Sequence, residues 1–144
     1  MSLDPLSDVR YRYRLASEHL TRAEKLFSLG DWAGTVSAAQ LSIESFAKAV
    51  IALFEVPTWS HDPSNQLHRL INKLPDDIRD MTRGLASMAH EVAPEHGRSS
   101  YGEPSAGLAP SDIYIKGHAE DALTKAKGAK ETTEKALNRM NVQV

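Results

Sequence analysis

Apolar residues recur along the first third of the chain at steps of three and four, the spacing that places side chains on one face of an α-helix. The first series predicts a helix from about Ser7 to Leu29. Its members are Val9, Tyr13, Ala16, Leu20, Ala23 and Phe27. A second helix is predicted from Trp32 to about Val56, after a Gly30-Asp31 turn. This second helix is apolar on nearly every side, which is typical of a helix in the middle of a bundle.

Three further helices are predicted in the rest of the chain. They cover about Pro63 to Lys73, Pro75 to Val92, and Ala119 to Met140. Residues 96–110 contain three Gly, two Pro and three Ser, and this composition predicts an exposed, flexible loop. Because no strand-like alternation occurs, we expect an all-α, five-helix up-and-down bundle that forms a single domain over residues 1–144.

Composition narrows the chemistry that the chain can perform. Seventeen Lys and Arg against nineteen Asp and Glu give a net charge of −2, so a nucleic acid or anionic lipid would need a local basic patch. The absence of Cys excludes thiol chemistry and cysteine-based metal sites. The segment Met1 to Pro5 lacks a signal-peptide pattern, and no run reaches the roughly eighteen apolar residues of a membrane span. We therefore expect a cytoplasmic protein without membrane association.

Four short motifs occur in a characteristic order along the chain. They are Gly30-Asp31-Trp32 followed by the helix Ala38 to Ala49, then Ser60-His61-Asp62, Arg98-Ser99-Ser100-Tyr101-Gly102, and Asp121-Ala122. In order and spacing this series resembles the HEPN domain, the higher eukaryotes and prokaryotes nucleotide-binding domain, over nearly the whole chain. The resemblance implies a helical bundle that associates with nucleotides or nucleic acids.

The histidine that corresponds to the family's short Ser/Thr-His motif is left open between two residues. His61 matches the motif itself, but Asp62 to Gln66 separate it from Leu67, whereas the family has Leu close after its His. His68 is the alternative. The resemblance also implies partners: a homodimer formed through the long helices or, as an alternative, a small nucleotidyltransferase or a toxin–antitoxin pair.

Glu44 and Lys48 are the only charged residues between Trp32 and Phe54. At positions i and i+4 they lie on one helical face and can pair. A buried charged pair is costly to form, so this one predicts a structural salt bridge. The alternative is that Lys48 helps to hold a nucleotide phosphate, as the resemblance implies.

Arg98 and Tyr101 lie in the predicted loop, where a guanidinium group and an aromatic ring can engage a phosphate and a base. The alternative is that they pin the loop to the bundle. Together with Lys48 and His61 they are the predicted ligand-binding residues.

Many HEPN proteins are metal-independent ribonucleases that use an Arg and a His separated by four to six residues. Arg14 with His19, Arg12 with His19, and Arg83 with His90 match this spacing. Six intervening residues place a pair two turns apart on one helical face, and Arg83 and His90 project away from the apolar stripe of their helix. Near Arg98 and His118, where the family usually carries the pair, no match occurs. We therefore expect a binding module without catalytic activity; the alternative is a ribonuclease that uses Arg83 and His90.

No metal site or cofactor is predicted. Glu91, Glu95 and His96 cluster near the end of the fourth helix, but no His-Glu-x-x-His spacing occurs and Pro94 interrupts the helix. A last candidate is a basic set on the first helix, expected to be a solvated face, with nucleic-acid binding as the alternative. Its residues are Arg10, Arg12, Arg14 and Arg22, with Tyr11 and Tyr13 between them.

Overall fold

The computed structural model describes residues 4–144 and is an all-helical bundle, as predicted. Its helices are α1 (Pro5–Ser28), α2 (Trp32–Ile51), α3 (Ser64–Leu70), α4 (Asp76–Val92), α5 (Glu95–Tyr101), α6 (Pro110–Ile113) and α7 (Lys116–Arg139). Short 3-10 turns cover Ile71–Lys73 and Pro104–Ala106, and no strand occurs within residues 4–144. The five predicted helices correspond to α1, α2, α3, α4 and α7.

The sequence predicts no membrane span and no signal peptide, and the structure bears on the first of these expectations. Among residues 4–144, no helix combines the length and the apolarity that crossing a membrane requires. The expectation about a signal peptide concerned Met1 to Pro5, and residues 1–3 of that segment lie outside the described residues.

Helix α2 lies at the centre of the bundle. It packs most extensively against α1 and α7, and it also contacts α3, α4, α5 and α6. Every residue from Ser42 to Ala52 is buried. Ile43, Phe46 and Val50 are fully enclosed in the main hydrophobic core, which supplies the largest stabilising contribution to the fold. The predicted central position of this helix is confirmed.

The turn between α1 and α2 is the Gly-Asp turn that the sequence predicts. Gly30 has a φ of +77°, a left-handed conformation that favours glycine. The Asp31 side chain accepts a hydrogen bond of 2.8 Å from the backbone N–H of Gly34 and caps α2.

Helix α2 ends at Ile51, several residues before the predicted end at Val56. The chain leaves the helix through tighter turns, in which the N–H groups of Leu53 and Phe54 bond to carbonyls three residues earlier. Gln66 then fixes the following segment, because its Nε2 donates to the Val56 carbonyl and its Oε1 accepts from the Thr58 N–H.

The segment predicted as an exposed loop, residues 96–110, contains most of helix α5 and the 3-10 turn Pro104–Ala106, and it ends at the first residue of α6. Helix α5 ends at Gly102, whose φ is +68°, and a Cβ at this position would lie 2.0 Å from the Leu108 carbonyl oxygen. Two backbone hydrogen bonds between Glu103 and Leu108 close the next turn. The segment therefore places the side chains of residues 95–101 on a helix next to α2.

Candidate functional site

A polar stripe runs through the buried part of α2. Gln40, Glu44 and Lys48 follow one another at steps of four, and each is at most 6% exposed. Nε2 of Gln40 donates to Oε1 of Glu44 at 3.1 Å, and Nζ of Lys48 donates to Oε2 of the same carboxylate at 3.1 Å. The stripe therefore holds one carboxylate between an amide and an ammonium group.

His61 reaches this carboxylate from the loop between α2 and α3. Its Nδ1 lies 3.0 Å from Oε1 of Glu44, while about half of its side chain is exposed. An ionised carboxylate only accepts hydrogen bonds, so Nδ1 carries the proton that forms this bond. In the neutral ring Nε2 then keeps its lone pair. His68, the alternative family histidine, lies exposed on α3.

His96 completes the arrangement from the beginning of α5. Its ring stacks on that of His61, with 3.6 Å between the ring centroids and 22° between the planes. Its Nδ1 lies 3.3 Å from Oε1 of Gln40, whose amide nitrogen is already engaged with Glu44. We call Gln40, Glu44, Lys48, His61 and His96 the histidine cluster.

Arg98 and Tyr101 lie on the same short helix as His96. Nε of Arg98 is 3.0 Å from Oε1 of Glu103, and its guanidinium group lies 6.0 Å from the centroid of the Tyr114 ring. Arg98 thus helps to fix the turn after α5. Tyr101 is 78% exposed at the end of the helix.

A cleft of about 250 Å³ lies beside the histidine cluster, between α2, α4 and α7. Gln40 lines it together with Glu91, Glu95, Asp121 and other residues. The Tyr114 hydroxyl donates a hydrogen bond to Glu95, and burial followed by this carboxylate raises the Tyr114 pKa well above its ordinary value. The carboxylates around this cleft disfavour a phosphate group there.

Arg83 and His90 lie on the exposed side of α4, where each has a carboxylate partner of its own. Nη1 of Arg83 is 2.5 Å from Oδ1 of Asp80, and Nδ1 of His90 is 2.7 Å from Oδ2 of Asp62. Partial burial acts to raise the pKa of Asp62, but hydrogen bonds from Ser64 and His90 outweigh it and lower that pKa. The side chain of His90 is 73% exposed.

The loop before α3 is anchored on two sides by neighbouring residues. His61 bonds to α2 and Asp62 bonds to α4, while Oδ1 of Asp62 also accepts from the Ser64 N–H at 3.0 Å. Asp62 thus accepts a hydrogen bond from the first residue of α3, although Pro63 occupies the N-cap position of this helix.

Sequence reasoning did not single out Gln40 or His96 as site residues. Gln40 is not among the candidates named from the sequence, and His96 enters there only with Glu91 and Glu95, in a group that is rejected as a metal site. The signal for His96 is its position two residues before the motif that begins at Arg98.

The family assignment rests on a match over nearly all of the chain. The family model described as HEPN domain matches residues 9–141. The chain belongs to the HEPN family. Membership supports an association with nucleotides or RNA.

A solved structure is similar to this HEPN domain over most of both chains. It is the crystal structure of TT1696 from Thermus thermophilus. The two chains are 25% identical, the match covers 90% of this chain and 98% of the other, and the TM-score is 0.70. Among curated proteins, none matches the chain.

Proposed function

We propose that this HEPN domain is a binding module for a nucleotide or nucleic acid, without catalytic activity of its own. The observation that carries the proposal is the stack of His61 on His96. Two rings from different segments meet at the surface, and buried residues fix their Nδ1 atoms. Imidazole rings of this kind stack on unpaired bases, and their free ring nitrogens can bond to base edges or phosphates.

The ligand surface extends from this stack along two short segments. Trp59, two residues before His61, is 96% exposed and offers a further ring for base stacking. Along α5, Tyr101 offers an exposed ring, and Arg98 offers the part of its half-exposed guanidinium group that its bond to Glu103 does not engage. We call Trp59, His61, His96, Arg98 and Tyr101 the ligand surface.

Lys48 supports this surface from within the bundle. Its ammonium group is directed at Glu44, and only 7% of its side chain is exposed. We therefore assign Lys48 an indirect role: it holds the carboxylate that orients His61. The direct contact with a phosphate falls to residues of the ligand surface.

The test is an anisotropy titration with fluorescently labelled single-stranded RNA, in EDTA and at low salt. We expect the double variant H61A/H96A to bind at least about 10-fold more weakly, since stacking on each base contributes about 1–3 kcal/mol. H68A removes an exposed histidine from α3 and is the matched control. Equal binding by the double variant and by H68A would reject this surface as the binding site.

A second candidate function is a metal-independent ribonuclease that uses Arg83 and His90. The hydrogen bond between Asp62 and His90 favours it, because a carboxylate of this kind orients a catalytic imidazole. RNA cleavage in EDTA that is lost in both R83A and H90A, but kept in H68A, would establish this activity. The absence of cleavage across structured and unstructured RNAs would support the binding module.

The predicted partners are a second copy of the chain or a small nucleotidyltransferase. Native mass spectrometry of the protein purified from its own source distinguishes them by mass. A homodimer alone would support the first prediction, and a second protein in constant ratio would support the other.

A further inference from the structure

Three side chains of the histidine cluster can reach one ion. Glu44, His61 and His96 each offer a ligand atom, and these atoms all lie within 4.8 Å of one another. We propose that Glu44, His61 and His96 form a binding site for one first-row transition-metal ion, with Zn²⁺ as the best match.

The ligand set decides the class of metal. Two imidazoles with one carboxylate suit Zn²⁺ and its neighbours, whereas Ca²⁺ and Mg²⁺ prefer oxygen ligands throughout. The Lys48 ammonium group lowers the attraction of Glu44 for every cation, so the two imidazole nitrogens, which hard cations bind poorly, determine the selection.

The distances are close to those that a metal requires. Two ligand atoms bound about 2.1 Å from one ion lie about 3–3.5 Å apart. Oε1 of Glu44 and Nδ1 of His61 are 3.0 Å apart, and the ligand atoms of all three residues lie within 4.8 Å of one another. The stacked rings of His61 and His96 direct their lone pairs nearly parallel, so one ring turns when both bind the same ion. On metal binding, the hydrogen bond between Glu44 and His61 gives way to two bonds to the ion. The neutral His61 ring loses its proton at Nδ1 and gains one from solvent at Nε2, so its total charge does not change.

The residues around the three ligands provide the support that metal sites usually have. Gln40 donates to Glu44 and contacts His96, so one amide positions two of the ligands. Lys48 holds the other carboxylate oxygen. Outer hydrogen bonds of this kind fix the orientation of ligating groups and strengthen metal binding.

The site is also accessible from solvent. The side chain of Glu44 is 8% exposed, but that of His61 is 53% exposed, so an ion can enter from the side of the loop. Three protein ligands leave one position of a tetrahedral zinc ion for water or an anionic group.

The test uses tag-free protein that has been stripped with EDTA and then dialysed, titrated with Zn²⁺ by calorimetry and with Co²⁺ by visible absorption. We expect one ion per chain, with Co²⁺ showing the strong absorption of a tetrahedral complex. H61A and H96A should each weaken Zn²⁺ binding at least about 10-fold. H68A should bind as the unchanged protein does.

Two further measurements distinguish the loss of a metal ligand from a loss of folded structure. Far-UV circular dichroism should be the same for the unchanged protein, H61A and H68A, because His61 and His68 lie at the surface. E44Q keeps the shape of the side chain, removes its charge and should also weaken Zn²⁺ binding. The absence of binding at millimolar Zn²⁺, or binding that H61A and H96A leave unchanged, would overturn the proposal.

The metal site and the RNA-binding surface share residues, but their tests are independent. Metal binding is measured without RNA, and RNA binding is measured in EDTA. Each proposal can therefore fail while the other holds.

Discussion

Helices α2 and α4 each carry a polar pair that the sequence singles out, and the two pairs differ in their surroundings. Glu44 and Lys48 bond to each other inside the bundle, with 8% and 7% of their side chains exposed. Arg83 and His90 lie on an exposed face, and each bonds to a different carboxylate. A buried carboxylate needs donors from the protein, whereas an exposed pair is hydrated. Burial therefore explains why Glu44 accepts hydrogen bonds both from α2 and from the loop that carries His61.

The largest expected effect comes from removing the cation of the buried pair. K48M leaves the Glu44 carboxylate buried without its ammonium partner, and we expect a loss of about 3–5 kcal/mol in the free energy of unfolding. Urea denaturation followed by circular dichroism measures this loss.

The matched control replaces the exposed cation in the same way. R83M should change the free energy of unfolding by no more than about 0.5 kcal/mol. In the double variant E44Q/K48M much of the lost stability should return, since no unpaired charge stays buried. Equal losses in K48M and R83M would remove the distinction between the two helices.

The next largest effect on stability is expected at Gly102, in the segment that places His96 beside α2. G102A places a Cβ against the Leu108 carbonyl oxygen and requires a backbone conformation that residues with side chains rarely adopt. We expect a loss of about 3 kcal/mol in unfolding free energy. Thermal and urea unfolding both measure it.

Gly107 offers the matched control for this change, because its φ of +69° is also positive but no atom lies within 4 Å of an added Cβ. G107A should cost only about 1 kcal/mol. If both variants lose the same amount, the close approach of Gly102 to Leu108 contributes nothing to stability.

A polar contact between α1 and α7 is expected to have an effect smaller than that of the buried pair and larger than that of an exposed one. Tyr13 donates a 2.7 Å hydrogen bond to Glu134, and burial together with this carboxylate raises the pKa of Tyr13 to about 12. The stabilisation is complete below the ordinary tyrosine pKa of about 10 and is lost as the pH rises through about 12. Y13F should cost about 1 kcal/mol at pH 8, and the difference should shrink above pH 10. Urea unfolding at several alkaline pH values tests this, and a constant difference would contradict it.

The smallest effect is expected at the exposed contact between Asp62 and His90. Asn at position 62 can still accept from the Ser64 N–H but loses the charge, so D62N should cost less than about 1 kcal/mol at pH 7. Because the pKa of Asp62 is lowered, its contribution is present at neutral pH. This contribution begins to be lost as the pH falls below about 4, the ordinary pKa of Asp in the unfolded chain. The loss is complete once the pH has fallen below the lower pKa that Asp62 has in the folded protein. Urea midpoints of both proteins from pH 7 to pH 3 should therefore converge, and H90A should already reduce their separation at pH 7.

The parts of the fold that the sequence predicts well are those that local pattern determines. The apolar character of α2 and the Gly30-Asp31 turn each depend on residues that are close together in the sequence. Both are found as predicted. Helix α2 ends before the predicted Val56, because the N–H groups of Leu53 and Phe54 form tighter turns. Gln66 then holds the following segment by tertiary hydrogen bonds that Pro57 does not predict.

Helix α5 and the role of His96 lie beyond the reach of local pattern. Only Ser99 of this helix is buried, so the helix has no apolar stripe that periodicity could reveal. Its Gly and Ser residues are typical of loops. The meeting of His96 with Gln40 and His61 depends on how α5 packs beside α2, which no spacing in the sequence encodes.

The central position of α2 also sets conditions on how the chain is synthesised. Helices α1 and α2 are adjacent in sequence and can pair as soon as both have left the ribosome, whereas α7 begins only at Lys116. Until α7 has been synthesised and has packed against α2, the apolar side of α2 that faces α7 is exposed to solvent. Exposed apolar surfaces of this kind promote aggregation of nascent chains. The order of helices along the chain thus places the period of greatest vulnerability between the emergence of α2 and that of α7.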